Sequence, residues 1–171
     1  MRPDYSPARA LARAARRGPG RLSLVDAATG ERWTVSQSFD AVARLAGAFR
    51  RRGLGAGTRI ALIGANSAWH FLCHAAASWL HAVTVPLSPR LPSSALASMC
   101  VRVGVTWAFV DESASLHARA LADAGVRAFP WDDLRSWTRH GDPIAGEPAR
   151  CGAELAAILF TSGSTGMPRP V

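Results

Sequence analysis

The chain has 171 residues, 49% of them hydrophobic, and a net charge of +8 in which every one of the twenty basic residues is Arg. That apolar content is enough for one packed domain and excludes a disordered polyelectrolyte tail. The longest apolar runs, Ala75 to Leu80 and Leu155 to Phe160, fall far short of the ~20 residues of a membrane-spanning helix.

Met1 to Arg21 is rich in Ala and Arg but lacks the continuous apolar stretch of a secretory signal. An organellar transit peptide shares that composition, yet Pro7 followed by Ala8 to Arg17 reads as a first helix with Pro near its start. Three cysteines, Cys73, Cys100 and Cys151, contain no C-x-x-C pair, so they suggest neither a disulfide framework nor structural zinc, and the expected compartment is a reducing cytoplasm.

A β-hairpin is expected next, Arg21 to Val25 and Glu31 to Val35 about a turn at Asp26 to Gly30. Ser36 is placed to cap a helix reaching Arg52, with Phe39, Val42, Ala46 and Phe49 as its apolar stripe and Gly53 as its end. Thr58 to Ile63 reads as a strand. Asn66 or Ser67 then caps a helix with the stripe Trp69, Leu72, Ala76, Trp79 and Leu80, followed by a strand over Ala82 to Leu87.

Ser93 or Ser94 caps a further helix carrying Leu96, Met99, Cys100 and Val103, closed by Gly104 and followed by a strand over Val105 to Val110. Ser113 to Ala124 repeats the helical unit with Gly125 as terminator, and Val126 to Phe129 repeats the strand. Beyond Trp137, Gly141, Pro143, Gly146 and Pro148 mark an irregular connection. Leu155 to Thr161 is nearly unbroken in apolar character, as a parallel strand buried on both faces would be. The expected fold class is α/β, a mostly parallel sheet covered by helices and preceded by a β-hairpin.

Directly after that strand stand Thr161, Ser162, Gly163, Ser164, Thr165 and Gly166, then Met167, Pro168 and Arg169. Four hydroxyls and two glycines in six residues allow main-chain N–H groups to curve around an anion while hydroxyls donate to its oxygens, and Arg169 adds a permanent charge. A polyphosphate fits such a set. The same residue types also build an ordinary flexible loop. Position favours the first account, because ligands of open α/β sheets collect at the carboxyl ends of strands. The run is not a Walker A sequence, and Gly53, Gly55 and Gly57 follow a helix and precede a strand, the reverse of a dinucleotide fingerprint.

The run Leu159 to Arg169 closely resembles the phosphate-loop signature of the adenylate-forming superfamily, which includes acyl-CoA synthetases, luciferases and peptide-synthetase adenylation domains. Trp33 to Gly53, Gly57 to Leu62 leading to Asn66-Ser67, and Val83 to Leu91 resemble the opening of that family's large N-terminal domain. The resemblance covers about Arg21 to Val171 and is weakest between Asp111 and Arg150. It implies a partial N-terminal, AMP-binding domain over residues 1–171. It also implies two half-reactions, attack of a carboxylate on ATP to give acyl-AMP and transfer of the acyl group to a thiol such as CoA.

Under that resemblance Thr161, Ser162, Gly163, Ser164, Thr165, Gly166 and Arg169 would hold the β- and γ-phosphates with magnesium nearby. Arg169 stands where the family usually has Lys, and Pro170 replaces its usual Gly, removing an N–H and holding Arg169 extended. The family's later adenine, ribose and catalytic Lys segments have no counterpart up to Val171, so these residues alone are expected to be inactive, with no catalytic residue assigned. Ser88 tilts the reading toward an acyl substrate and Ser164 toward an amino-acid one. Alternatives are a decayed nucleotide- or protein-binding domain, and an adenylating domain that loads a carrier protein.

Other features take plainer readings. His70, His74 and His81 share one helix face opposite the apolar stripe and are expected to face solvent without a metal. Asp132 and Asp133 are expected to cap or solvate a turn near Trp131, and the six Trp to pack in the core away from the arginines. Apart from Arg16-Arg17 and Arg50 to Arg52 the arginines are scattered, so a solvated face is expected and no nucleic-acid partner.

Overall fold

The computed structural model describes residues 6–148, 155–161 and 169–171. The fold divides into two compact units, one drawn from Met1–Ala56, Asn66–Ala82 and Asp133–Glu154, the other from Gly57–Ala65, Val83–Asp132 and Leu155–Val171.

In the first unit, helix α1 (Pro7–Arg17) starts where Ser6 accepts from the Arg9 N–H, and the Ala8 N–H donates to Ser78 Oγ at 3.2 Å. Its buried face is Ala8, Leu11 and Ala12, and the two alanines let the next two helices of this unit approach closely. The expected hairpin forms from β1 (Leu22–Val25) and β2 (Arg32–Thr34), antiparallel, with Gly30 at φ +74° where an L side chain would be strained. Helix α2 (Val35–Arg51) is capped by Thr34 rather than Ser36. Thr34 accepts from the Gln37 N–H and Gln37 accepts from the Thr34 N–H, so two otherwise orphaned donors are satisfied at once.

Helix α3 (Ala68–Trp79) begins after Ser67, whose side chain makes no capping bond. The Asp26 carboxylate does that work, accepting from the Ala68 N–H at 3.0 Å. Most of α3 is buried, including Leu72, Cys73 and Ala75 to Trp79, so its apolar face is wider than a single stripe. Helix α6 (Trp131–His140) replaces the turn expected near Trp131. Asp132 and Asp133 lie in its first turn and Arg139 and His140 in its last, the order that complements a helix dipole.

The second unit is built on a parallel sheet of order β4-β3-β5-β6, formed by β3 (Arg59–Ile63), β4 (Val83–Leu87), β5 (Trp107–Val110) and β6 (Arg127–Pro130). β3, β4 and β5 are buried almost throughout, as strands covered on both faces should be. Helix α4 (Ser93–Arg102) connects β4 to β5 and packs Leu96, Met99 and Cys100 with Val85, Ala108 and Val110. Ser93 is its first residue rather than its cap, and Gly104 ends it at φ +63°. The helical segment before β6 is split into a 3-10 turn (Glu112–His117) and α5 (Ala118–Asp123).

Leu155 to Thr161 is not a strand buried on both faces. It makes one parallel bridge, Ala157 to Thr84, along the β4 edge of the sheet. Ile158 is buried and Phe160 packs against the core, whereas Leu155 and Leu159 are more than half exposed. The alternation is that of an edge segment with one covered face. An apolar run alone does not distinguish the two cases.

Candidate functional site

The four parallel strands end together, so Ile63, Leu87, Val110 and Pro130 define one carboxyl edge of the sheet. Thr84 N–H donates to Ala156 O at 3.2 Å and Ile158 N–H donates to Thr84 O at 2.9 Å, which sets Leu155 to Thr161 running in the same direction. Three residues past Thr84 the strand β4 ends at Leu87, and four past Ala157 the edge segment reaches Thr161. Thr161 therefore emerges at the carboxyl edge, where open α/β sheets hold their ligands.

β7 (Phe160–Thr161) pairs antiparallel with β8 (Arg169–Pro170), with Thr161 opposite Arg169. Leu159 and Val171 exchange both main-chain hydrogen bonds, at 2.9 and 2.8 Å. In an antiparallel ladder the next pair inward makes none, and that pair is Phe160 with Pro170. The missing N–H of Pro170 thus removes no ladder bond, and the extended geometry it imposes on Arg169 is that of a strand. Thr161 Oγ1 donates to Arg169 O at 3.4 Å. The two described members of the expected phosphate set, Thr161 and Arg169, stand side by side and exposed. Ser162, Gly163, Ser164, Thr165 and Gly166 lie outside the described residues.

Next to this edge a carboxylate sequence reading had passed over fixes two loops. Asp111, just after β5, accepts from the Ala65 N–H at 2.6 Å through Oδ2, and from the Ala114 N–H at 3.0 Å and the Ser113 hydroxyl at 2.6 Å through Oδ1. The pattern Asp-x-Ser directly after a strand is its sequence signal, an Asx-type cap. Asp26 is the counterpart in the first unit, buried and bonded by the N–H groups of Ala68, Thr29 and Ala28. Those bonds, the one from Ala68 foremost, hold its carboxyl below the usual carboxylate range against the opposing effect of burial.

The remaining titratable groups read as packing. Burial pushes the Cys73 thiol up, and that of Cys100 up to about 11, so neither is a ready nucleophile. Cys151 lies outside the described residues. His70 and His74 are half-buried rather than solvent-facing, and burial lowers the pKa of His74. His81 lies beyond the end of α3 with φ 56°, so the three do not share a helix face. Among the described residues no three His, Cys, Asp or Glu gather to hold a metal ion.

The tryptophans pack as expected against other rings, Trp33 on Trp69, Trp79 on Phe39, Trp137 on Phe49 and Trp107 on Phe129. They are not apart from the arginines, however. The guanidinium groups of Arg52, Arg127 and Arg135 lie over Trp137, Trp107 and Trp69. No described helix is long and apolar enough to cross a membrane.

The chain is 28% identical over 165 residues to a 2-succinylbenzoate–CoA ligase of Listeria innocua, an alignment that covers 94% of the chain and 32% of the ligase. It is 32% identical over 158 residues to a hybrid PKS-NRPS synthetase of an Acremonium species, covering 90% of the chain and 4% of that protein. The chain thus spans about a third or less of the curated relatives it matches.

Its fold superposes on the inhibitor-bound N-terminal domain of FACL13 from Mycobacterium tuberculosis with a TM-score of 0.86 at 25% identity, covering 97% of the chain and 43% of that domain. A long-chain-fatty-acid-CoA ligase of Archaeoglobus fulgidus shares the fold with a TM-score of 0.87 at 20% identity, covering 100% of the chain and 36% of the ligase. Residues 11–171 match the family model described as AMP-binding enzyme, and the chain belongs to that family.

Proposed function

We propose that residues 1–171 form the nucleotide-binding part of the N-terminal domain of an AMP-forming acid–thiol ligase. Such an enzyme joins a carboxylate to ATP as acyl-AMP with release of pyrophosphate, then passes the acyl group to CoA. Thr161, Ser162, Gly163, Ser164, Thr165 and Gly166 are the donors for the β- and γ-phosphates in this reading, and Arg169 is the counter-charge. Magnesium would supply further charge neutralisation on the phosphate oxygens. What this chain contributes is position and complementary dipoles, which is what phosphoryl chemistry requires of a loop.

The observation that carries the reading is the pairing of Thr161 with Arg169 at the carboxyl edge of a parallel sheet, at the two ends of a run of hydroxyls and glycines. A guanidinium there is held by an extended strand rather than on a free tail. CoA as acceptor is supported by the CoA ligases among the relatives, and an acyl substrate of fatty-acid type by the fatty acyl CoA synthetase of Mycobacterium tuberculosis, 25% identical with a TM-score of 0.85. A carrier-protein acceptor is the second reading, supported by the peptide-synthetase relatives. The proposed compartment is the cytoplasm.

Calorimetric titration of the chain with ATP and magnesium tests the phosphate site. Replacing Arg169 by Ala removes charge-assisted hydrogen bonds and should weaken binding by about tenfold or more. Arg169→Lys keeps the charge and should hold affinity within a few-fold. Equal affinity in Arg169→Ala would refute the assignment.

A further inference from the structure

One pair of side chains in the second unit plays no part in the nucleotide reading. His117, at the end of the 3-10 turn, is 3% exposed. Its Nε2 lies 3.0 Å from the Pro89 carbonyl oxygen and its Nδ1 lies 2.8 Å from Ser93 Oγ. A carbonyl only accepts, so Nε2 carries the proton. In the neutral tautomer with that proton, Nδ1 keeps its lone pair facing Ser93, and the Ser93 hydroxyl donates to it.

This is the arrangement of an activated nucleophile: a hydroxyl within hydrogen-bond reach of a base, and the base oriented by a third group. We propose that Ser93 is an acyl-accepting nucleophile, with His117 as its general base and the Pro89 carbonyl as the positioning group. Each member is held by a different element. Ser93 opens α4, a helix of 10 residues. His117 closes the 3-10 turn, and Pro89 follows β4 by two residues. Ser93 is half-buried and the imidazole is shielded, so water competes little for the base. The first N–H groups of α4, which have no partners inside the helix, are available to an oxyanion formed beside Ser93.

The ligand class is an activated acyl ester. Ser93 Oγ forms the bond to the carbonyl carbon while its proton passes to His117 Nδ1. The bond from that carbon to the leaving alkoxide or phenolate oxygen breaks, and the leaving group takes its electron pair. His117 then releases its proton to the leaving group or to solvent, and Ser93 is left as an ester. No oxidant, metal or cofactor is consumed.

The probe is p-nitrophenyl acetate applied to the folded chain, with nitrophenolate release measured and the acetylated residue located by peptide mass spectrometry. A stoichiometric burst on Ser93 is expected, roughly 10²-fold faster than on its exposed neighbour Ser94. The burst should vanish in Ser93→Ala, persist in Ser94→Ala and fall by a similar factor in His117→Gln. Because His117 is buried, Ser93→Cys provides a second route if His117→Gln does not fold. Its new thiol should react with iodoacetamide faster in the folded than in the urea-unfolded chain. Acetylation of Ser93 no faster than of Ser94, or a Ser93→Cys thiol slower than in the unfolded chain, overturns the proposal and leaves the pair as packing alone.

Discussion

Asp26 shows how much one side chain can join. It begins the turn between β1 and β2, where its Oδ1 accepts from Ala28 and Thr29, and its Oδ2 serves the first turn of α3, 42 residues away in sequence. Removing it leaves the Ala68 N–H buried and unbonded, which costs about 1–3 kcal/mol. Asp26→Ala is therefore expected to lower the urea midpoint at pH 7, and Asp26→Asn less so. The native carboxyl is held below its ordinary value, so its stabilisation is present above the unfolded pKa, about 3.9, and is lost as pH falls through the folded value. The gap between the protein and Asp26→Asn should thus narrow on acidification below about pH 4. A gap unchanged between pH 7 and pH 2 would show that the charge plays no part. Sequence reading saw Asp26 only as a turn former, because a cap supplied from 42 residues away leaves no local pattern.

At the scale of elements, what was legible depended on whether the deciding forces were local. The four strands β3 to β6, the hairpin and the stripes of α2 and α4 follow from period and glycine placement, and they form close to where expected. Helix α6 was missed although its acids come first and its bases last, because Trp131, Leu134 and Trp137 make too short a stripe to stand out. Leu155 to Thr161 was misjudged because the exposure of Leu155 and Leu159 depends on lying beside β4, a tertiary fact. Pro170 removes an N–H yet is compatible with the stem of the loop, since register decides which N–H groups a ladder needs. Five of the seven candidate site residues, Ser162 to Gly166, lie outside the described residues, so that part of the site stays a reading of residue types.

The ends of β3 and β5 offer a test at this same scale. A Cβ on Gly64 would stand 2.6 Å from Asp111 Oδ2 and 2.7 Å from its Cγ. That carboxylate is fixed by Ala65, Ala114 and Ser113, so it cannot swing away without losing those bonds. Gly64→Ala is expected to cost about 1–3 kcal/mol in chemical denaturation, as overpacking does. Removing the obstructing atoms with Asp111→Ala should shrink that penalty, and the double-mutant cycle measures by how much. Additive losses would mean that the two residues do not meet.

For the molecule as a whole, the charge of +8 and the family's chemistry lead to separable consequences. Several arginines are engaged within the fold. Arg9, Arg44, Arg51, Arg52 and Arg59 donate to main-chain carbonyls, and Arg16 and Arg44 pair with Glu147 and Asp40. Such use stabilises loops and does not by itself make a nucleic-acid surface. Catalysis asks for more than a phosphate cradle, because the carboxylate, the nucleotide base and the departing pyrophosphate must all be held in line. The chain covers 32% of the Listeria ligase it resembles, and among the described residues no three His, Cys, Asp or Glu gather to hold a metal ion. These 171 residues, purified by themselves, should bind ATP with magnesium yet give no carboxylate-dependent exchange of labelled pyrophosphate into ATP. Exchange above the no-carboxylate control would mean that the groups that align the reaction already lie within the 171 residues, and that the proposed division between phosphate holding and chemistry is wrong.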